Sequence, residues 1–196
     1  MLIASFVGGL IIFIWQFLSF AAINFHEPAQ AYTEKQDAIL AFLESQQLEE
    51  GGYFMPSLPK TASREEWEAA MQEQEGKPWA SIQYHHSMSN NMVGNMIRGY
   101  ITNVIVVFLF CWLIEKFSKI STGRTFLAAL AVGMIVFLNG PYIGHIWYQF
   151  FDTWAHLMDA IVSWGLVGLW IGWYLGRNRK DEYVQKIKTP SYNMTS

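Results

Sequence analysis

Four long apolar blocks constrain this chain more than any other feature of its sequence. The first runs over residues 2–25 without a charged side chain, and further blocks cover residues 95–114, 125–146 and 154–175. A helix of about 20 apolar residues spans a bilayer. Only 15% of the residues are charged, against about 25% in an average soluble domain. The chain is therefore predicted to be an all-α membrane protein with four transmembrane helices.

The predicted transmembrane helices cover residues 1–25, 95–115, 124–146 and 154–176. The first block is longer than the apolar region of a secretory signal, which has about 7–15 residues, and no Lys or Arg precedes it. We expect it to be retained as an anchor. The sequence Asn139-Gly140-Pro141 is expected to break or kink the third helix, because proline lacks a backbone donor.

Residues 26–94 form a predicted insert between the first two membrane helices. Residues 26–91 hold eleven acidic and four basic side chains, a net charge of −7. Thr33 is predicted to cap a helix that continues to residue 48 and ends before Gly51 and Gly52. Ser63 followed by Glu66 predicts a capping box for a second helix.

Two short strands are predicted in the same insert, at residues 53–55 and 79–84. Ala80, Ile82 and Tyr84 alternate as the side chains of a half-buried strand do. The insert is therefore a small α+β unit. A unit of this size has a marginal core, so we expect it to lean on the membrane helices or on a partner.

The basic residues predict the orientation of the chain in the membrane. The loop at residues 115–124 and the tail at residues 177–196 hold three and five of the thirteen Lys and Arg residues. Cytoplasmic loops carry an excess of such residues. Both termini and the basic tail are therefore predicted to be cytoplasmic, with the acidic insert outside the cell.

Five histidines fall at the outer ends of the predicted helices. The metal hypothesis is that imidazole and carboxylate groups from different helix ends converge on zinc, copper or iron. The alternative is that these amphipathic side chains simply favour the membrane interface. The sequence requires no cofactor, and the candidate ligands are His26, His85, His86, His145, His156 and Asp152.

Arg98 and Asp159 lie inside apolar runs, where an ionisable side chain costs several kcal/mol unless it is paired or hydrated. Each lies 18 residues before a basic residue at the cytoplasmic end of its helix, Lys116 and Arg177 respectively. Both are therefore expected at matching depth. They are predicted to form a buried ion pair, or alternatively to line a polar pocket that binds a quinone or a small anion.

Glycines recur along the fourth helix at spacings that favour helix packing. Such small residues let a neighbouring helix backbone approach closely. Whether this surface meets the first helix or another subunit is left open by the spacing. The glycines concerned are Gly165, Gly168, Gly172 and Gly176.

Several segments along the chain stand out together: GGLIIFIWQFLS in the first helix, QDAIL, EGGYFMPSLP and GKPWASIQYH in the insert, MIRG before the second helix, and WGLVGLWIGWYLGRN at the end. In these segments the chain resembles a family of small four-helix bacterial membrane proteins that has no assigned activity. The resemblance covers nearly the whole chain. The resemblance implies a bacterial cytoplasmic membrane and carries over no functional residues.

Two classes of function follow from these observations. Hydrolases and transferases are disfavoured, because the chain has no Gly-x-Ser-x-Gly sequence and no phosphate-binding glycine loop. The sequence favours a non-catalytic accessory or scaffold subunit in contact with lipid and other membrane subunits, without a nucleic-acid partner. The alternative is an outer-face protein that binds a metal, quinone or small anion in redox chemistry or transport.

Overall fold

The computed structural model describes residues 1–117 and 121–188, with side chains up to residue 177. Within this part of the chain, four helical segments are long and apolar enough to cross a membrane: Leu2–Ala22, Met92–Glu115, Thr122–Trp147 and Thr153–Arg177. The prediction of a multi-pass membrane protein with four such helices is confirmed. The remaining secondary structure is a single 3-10 turn at Glu27–Ala29 and a small unit with a two-stranded sheet.

Two of the four membrane helices contain a π-helical turn. The first consists of α1 (Leu2–Phe17) followed by a π turn at Leu18–Ala22. The third consists of α5 (Thr122–Phe137), a π turn at Leu138–Tyr142 and α6 (Ile143–Trp147). Pro141 lies inside this second π turn. Because the proline can donate no backbone hydrogen bond, the predicted break takes the form of a local wide turn, and the helix continues beyond it.

The other two membrane helices are uninterrupted. The second, α4, covers Met92–Glu115 and so begins before the predicted residue 95. The fourth, α7, covers Thr153–Lys188 and continues past the predicted end at residue 176. The first part of the predicted basic tail is therefore helical backbone, and residues 189–196 lie outside the described part of the chain.

The four membrane helices pack with α7 at the centre. Helix α1 lies against α4 and α7, and α7 also packs on α5. Half of the apolar window of α7 is buried (50%), compared with 17% for the third helix. Gly9 permits the close approach of α1 to α4, since a Cβ atom there would lie 2.8 Å from the backbone nitrogen of Val104. The core between these helices includes Val107, Cys111, Val167 and Ile171.

The glycine surface of α7 faces the third helix of the same chain. A Cβ atom at Gly168 would lie 2.6 Å from that of Ala129, and one at Gly172 would lie 2.7 Å from the Cα atom of Thr122. Gly165 faces aromatic and aliphatic side chains of α5 at ordinary contact distance. Among the residues that the structure describes, an added Cβ at Gly176 meets nothing within 4 Å. Three of the four glycines thus lie in this packing surface.

The insert forms a separate compact unit over residues Tyr32–Asn90. It contains α2 (Gln36–Ser45), β1 (Gly51–Met55), α3 (Arg64–Gln74) and β2 (Ala80–Tyr84). The two strands pair in antiparallel orientation, with Gly51 opposite Tyr84 and Met55 opposite Ala80. The prediction of a small α+β unit with two short strands is confirmed.

The local signals in the insert were predicted with mixed success. The capping box is present: the Ser63 hydroxyl accepts from the Glu66 backbone N–H, and the Glu66 carboxylate accepts from the Ser63 N–H. The prediction for α2 was wrong in detail, because Thr33 accepts from the Lys35 N–H in a turn and the helix begins at Gln36. Gly51 and its neighbour begin β1 and do not end the helix, since an extended glycine is also free to pair in a sheet.

Candidate metal centre

One end of the membrane unit carries polar side chains that we call the His26 cluster, and this is the end where α1 stops and α7 begins. Its members are His26, Asp152, His156, Asp159 and Trp15. Asp152 directly precedes α7, and the next two members lie in the first two turns of that helix. Because residues 152, 156 and 159 follow a helical spacing, they share one face of α7.

A reversal of the chain after the first π turn delivers His26 to this face. Asn24 adopts a left-handed backbone conformation with φ 58°, which asparagine tolerates better than most residues. The Phe25 N–H then donates to the carbonyl oxygen of Ser19 at 2.9 Å, which closes the turn. Local backbone geometry therefore directs the imidazole back over the end of its own helix.

The imidazole of His26 is fully buried, at 0% exposure, between two carboxylates. Its Nδ1 lies 2.8 Å from Asp152 Oδ2, and its Nε2 lies 3.0 Å from Asp159 Oδ2. A neutral imidazole has one N–H, and an ionised carboxylate only accepts. Two such hydrogen bonds therefore require one proton more than a neutral histidine and two carboxylates carry. The His26 cluster therefore has room for one cation, a proton or a metal ion, shared between a histidine and two acids.

Aromatic side chains contact both Asp159 and His26. Trp15 of α1 donates its indole N–H to Asp159 Oδ1 at 2.9 Å. The ring of Phe20 stacks on the His26 imidazole with centroids 3.7 Å apart and planes 6° apart. Charged groups near apolar surroundings are costly unless such partners satisfy them. The hydrogen bonds orient Asp159 so that Oδ1 is engaged and Oδ2 faces the histidine.

His156 forms the rim of the cluster. Its Nε2 lies 3.4 Å from Asp152 Oδ2, and its side chain is 30% exposed, compared with 9% for that of Asp152. The ring centroid lies 4.8 Å from that of His26 at an interplanar angle of 65°. The cluster is thus buried on one side and reachable through His156 on the other.

Three of these residues are close enough together to be candidate ligands of one metal ion. One ligand atom from each of His26, His156 and Asp159 lies within 4.8 Å of the other two. Bonds of about 2.0–2.2 Å to a tetrahedral ion bring ligand atoms roughly 3.4 Å apart, so side-chain movements of about an ångström would close the site. Asp152, bonded to the Nδ1 of His26, then resembles the outer carboxylate that orients a metal-binding imidazole.

The predicted ion pair between Arg98 and Asp159 does not form. Asp159 is occupied by the indole of Trp15 and the imidazole of His26. Arg98 is exposed, and among the side chains described for residues 1–117 and 121–177 it has no ion-pair partner. The prediction was wrong because equal depth along two helices does not determine which way each side chain points. Arg98 and Asp159 share a level but not a face.

The remaining predicted ligands make other contacts, each within its own unit. His145 closes the turn before α7, since its Nδ1 accepts from the Phe150 N–H at 3.0 Å and contacts the Thr153 hydroxyl at 2.8 Å. His85 and His86 belong to the insert unit, where both are exposed and the ring of His86 packs edge-on against that of Tyr84. Their role as ligands stays a prediction.

Two contributors to the cluster were missed by sequence reasoning. Trp15 could have been found, because a tryptophan in an apolar helix needs an acceptor for its N–H. No sequence signal indicates the stacking of Phe20, which depends on the reversal at Asn24. Sequence reasoning also missed a hydrogen bond outside the cluster, which the Asn103 amide donates to Gln16 Oε1 at 2.7 Å and which joins α4 to α1.

The insert has a concave surface of its own. A groove of about 700 Å³ lies between α3 and the strands, with Phe54, Trp67 and Trp79 among its walls. The rings of Phe54 and Trp79 pack 5.6 Å apart. Lys77 at its edge is paired with Glu73 at 3.1 Å. The groove is therefore mainly apolar, and its chemistry differs from that of the His26 cluster.

Comparisons with protein-family models, with curated proteins and with solved structures returned no match to this chain. The resemblance to small four-helix bacterial membrane proteins therefore stays a prediction. The function must be argued from the geometry of the chain itself.

Proposed function

We propose that this chain is a membrane protein that binds a transition-metal ion in the His26 cluster. The observation that carries the proposal is the convergence of His26, His156 and Asp159 within 4.8 Å. These residues come from two distant segments of the chain, so local spacing alone does not place them together. The hydrogen bond between Asp152 and the Nδ1 of the buried His26 supports the same conclusion, because a carboxylate often orients a metal-binding imidazole in this way.

The donor set limits the class of metal. Two imidazole nitrogens and one carboxylate oxygen suit Zn²⁺, Fe²⁺ and Cu²⁺ better than cations that prefer oxygen ligands only, such as Mg²⁺ or Ca²⁺. Three protein ligands leave at least one coordination position for water or a small ligand. The site therefore suits a reactive or exchangeable metal better than a closed structural one.

We propose further that the His26 cluster faces the extracytoplasmic side. Support comes from the basic residues near the opposite ends of the helices, among them Lys116, Arg124 and Arg177. A cluster on the outer side would exchange metal with the periplasm or the cell exterior through the exposed edge of His156. The bacterial inner membrane, implied by the resemblance, is part of this proposal.

A competing interpretation is that the cluster is only a structural ion-pair network. Zinc binding to the purified full-length chain, measured by calorimetry and by metal content after dialysis, separates the two. Co²⁺ then reports the ligands through its visible absorption. One Zn²⁺ per chain is expected, with affinity reduced at least about tenfold in Asp159→Asn and in His156→Gln. A purely structural network would bind no stoichiometric metal.

The choice of variants makes the result of this test interpretable. Asp159→Asn preserves an acceptor for Trp15 and places an amide donor toward His26, so the fold is expected to survive. His145→Gln is the matched control, because His145 lies at the same end of the bundle but bonds to Phe150 and Thr153. Equal loss of affinity in the control would refute the assigned ligands.

The accessory-subunit hypothesis from the sequence stays a second prediction, and the same preparation tests it. Purification from the native membrane in a mild detergent would retain a partner subunit. A stoichiometric membrane polypeptide, together with a chain that binds no metal, would support the accessory function and refute the metal centre. A single chain with one metal would do the reverse.

A further inference from the structure

Arg98 lies on the face of α4 that points away from the rest of the membrane unit. At about 100° per residue, Asn103 and Val107 fall on the opposite side of the helix, and both are buried. Residues on the same stripe as Arg98 are exposed, with Ile105 at 53% and Leu109 at 54%. Because α4 is apolar and long enough to span a membrane, this stripe faces lipid.

The guanidinium of Arg98 needs an anion that the described chain does not supply. It has no ion-pair partner among residues 1–117 and 121–177, and Asp159 at the same level is bonded elsewhere. Arginine stays charged at every physiological pH. An unpaired charge within a membrane helix costs several kcal/mol unless the side chain reaches the interface or a partner. The guanidinium must therefore be satisfied by interfacial water or by an anion from outside this part of the chain.

The depth of Arg98 indicates which partner is within reach. Lys116 lies 18 residues later on the same stripe of α4, a distance of about 27 Å along a helix. Lys116 packs over the ring of Trp112 at 5.0 Å, and Arg177 of α7 packs over Trp173 at 5.9 Å. Such pairs of basic and aromatic side chains mark a membrane interface. With a hydrocarbon layer of about 30 Å, Arg98 lies just inside the opposite boundary.

We propose that Arg98 binds the phosphate diester of a phospholipid in the leaflet at the His26 end of the bundle. The planar guanidinium can donate two parallel hydrogen bonds to phosphate oxygens. The long side chain can extend toward the headgroups while its carbons stay among lipid tails. The exposed apolar residues around Arg98, including Ile97 at 55% and Ile101 at 51%, provide the surface for the acyl chains.

The level of Arg98 in the membrane also indicates the depth of the His26 cluster. Phe13 of α1 packs against Tyr100 of α4 with ring centroids 5.9 Å apart, so Arg98 lies near the level of Trp15 and its partner Asp159. His26 and Asp152 lie beyond the ends of the helices that carry those residues. The cluster thus extends from the level of Arg98 to the ends of these helices, at the boundary between hydrocarbon and headgroups, and this conclusion does not depend on whether it holds a metal.

Native mass spectrometry of the full-length chain in mild detergent, titrated with dioleoyl-phosphatidylglycerol, tests the proposal. Arg98→Gln is expected to weaken the first lipid-binding step about fivefold, which corresponds to one basic residue at a membrane surface. Arg98→Lys is expected to give an intermediate affinity, because lysine keeps the charge but cannot donate the two parallel hydrogen bonds. Arg64→Gln is the charge-matched control, because Arg64 lies in the insert and pairs with Glu68.

Three outcomes would overturn the proposal. The first is an unchanged lipid affinity in Arg98→Gln, with Cys111 still protected from a thiol dye as evidence of a folded core. The second is displacement of the lipid by excess inorganic phosphate, which would indicate a site for a free anion. The third is a photo-crosslinker at Ile97 that captures a stoichiometric polypeptide through an acidic residue, which would identify a protein partner.

Discussion

His26→Ala is expected to destabilise the membrane unit more than any other single change at its polar end. The substitution removes the donor to two carboxylates whose side chains are only 9% and 17% exposed. Removing one partner of a buried ion pair costs about 3–5 kcal/mol, because the remaining charge stays buried without compensation. The stacked contact with Phe20 is lost as well. We expect a loss of about 3–5 kcal/mol in the free energy of unfolding.

The single cysteine makes this loss measurable. Cys111 is fully buried, at 0% exposure, in the core formed by α1, α4 and α7. A thiol-reactive dye therefore reaches it only when these helices separate. With slow labelling and a chelator present, the rate reports the open population, and about 3 kcal/mol corresponds to a rise of roughly 150-fold. A rise below about tenfold in a folded variant, corresponding to about 1.4 kcal/mol, would refute the argument.

Two control variants separate the possible causes of such an effect. Arg64→Ala removes a salt bridge whose side chains are 87% and 62% exposed, so a change below about 1 kcal/mol is expected. Asp159→Asn keeps hydrogen-bonding groups toward both Trp15 and His26 while it removes a charge. It is expected to stay within about 1–2 kcal/mol of the parent chain. A collapse of this variant would show that charge pairing, and not hydrogen bonding, holds the cluster.

Two further predictions concern packing and capping. Gly168→Ala is expected to lower the free energy of unfolding by about 1–3 kcal/mol, because the new Cβ would lie 2.6 Å from the Cβ of Ala129 in α5. Gly176→Ala is expected to be neutral or to stabilise the helix by up to about 1 kcal/mol. The Cys111 labelling assay compares the two, and equal effects would contradict the packing of α7 on α5. Ser63→Ala is expected to destabilise α3 by about 1 kcal/mol, and Thr33→Ala to leave α2 unchanged. Hydrogen exchange of the two helices measures both, and a larger effect at Thr33 would overturn the capping assignment.

Features of the chain that depend on nearby residues were predictable. The four apolar blocks indicate four membrane helices because lipid offers no partner for free backbone groups. The capping box at Ser63 and the alternation from Ala80 to Tyr84 likewise concern groups within a few residues of each other. The glycine surface of α7 was recognised by its spacing, although its partner helix was not. Even Pro141 was correctly identified as an irregular position.

The candidate site could be predicted only in part. His26, His156 and Asp152 were named as candidates because helix ends on one side of the membrane must lie near each other. The same reasoning also named His145, which closes a local turn. The ion pair between Arg98 and Asp159 was predicted from their equal depth, and this was wrong because the rotation of each helix about its axis was unknown. Depth follows from counting residues, whereas facing direction depends on how helices pack.

The sequence by itself determined the number of membrane helices, the limits of the membrane-spanning segments to within a few residues, and the presence of an α+β insert. These follow from local hydrophobicity and backbone hydrogen bonding. Only the tertiary structure decided that α7 is central and that Asp159 meets His26 and Trp15, while Arg98 lies on the exposed face of α4. The physical reason is that the rotation of each helix, and the meeting of His26 with Asp152, depend on packing between segments more than a hundred residues apart.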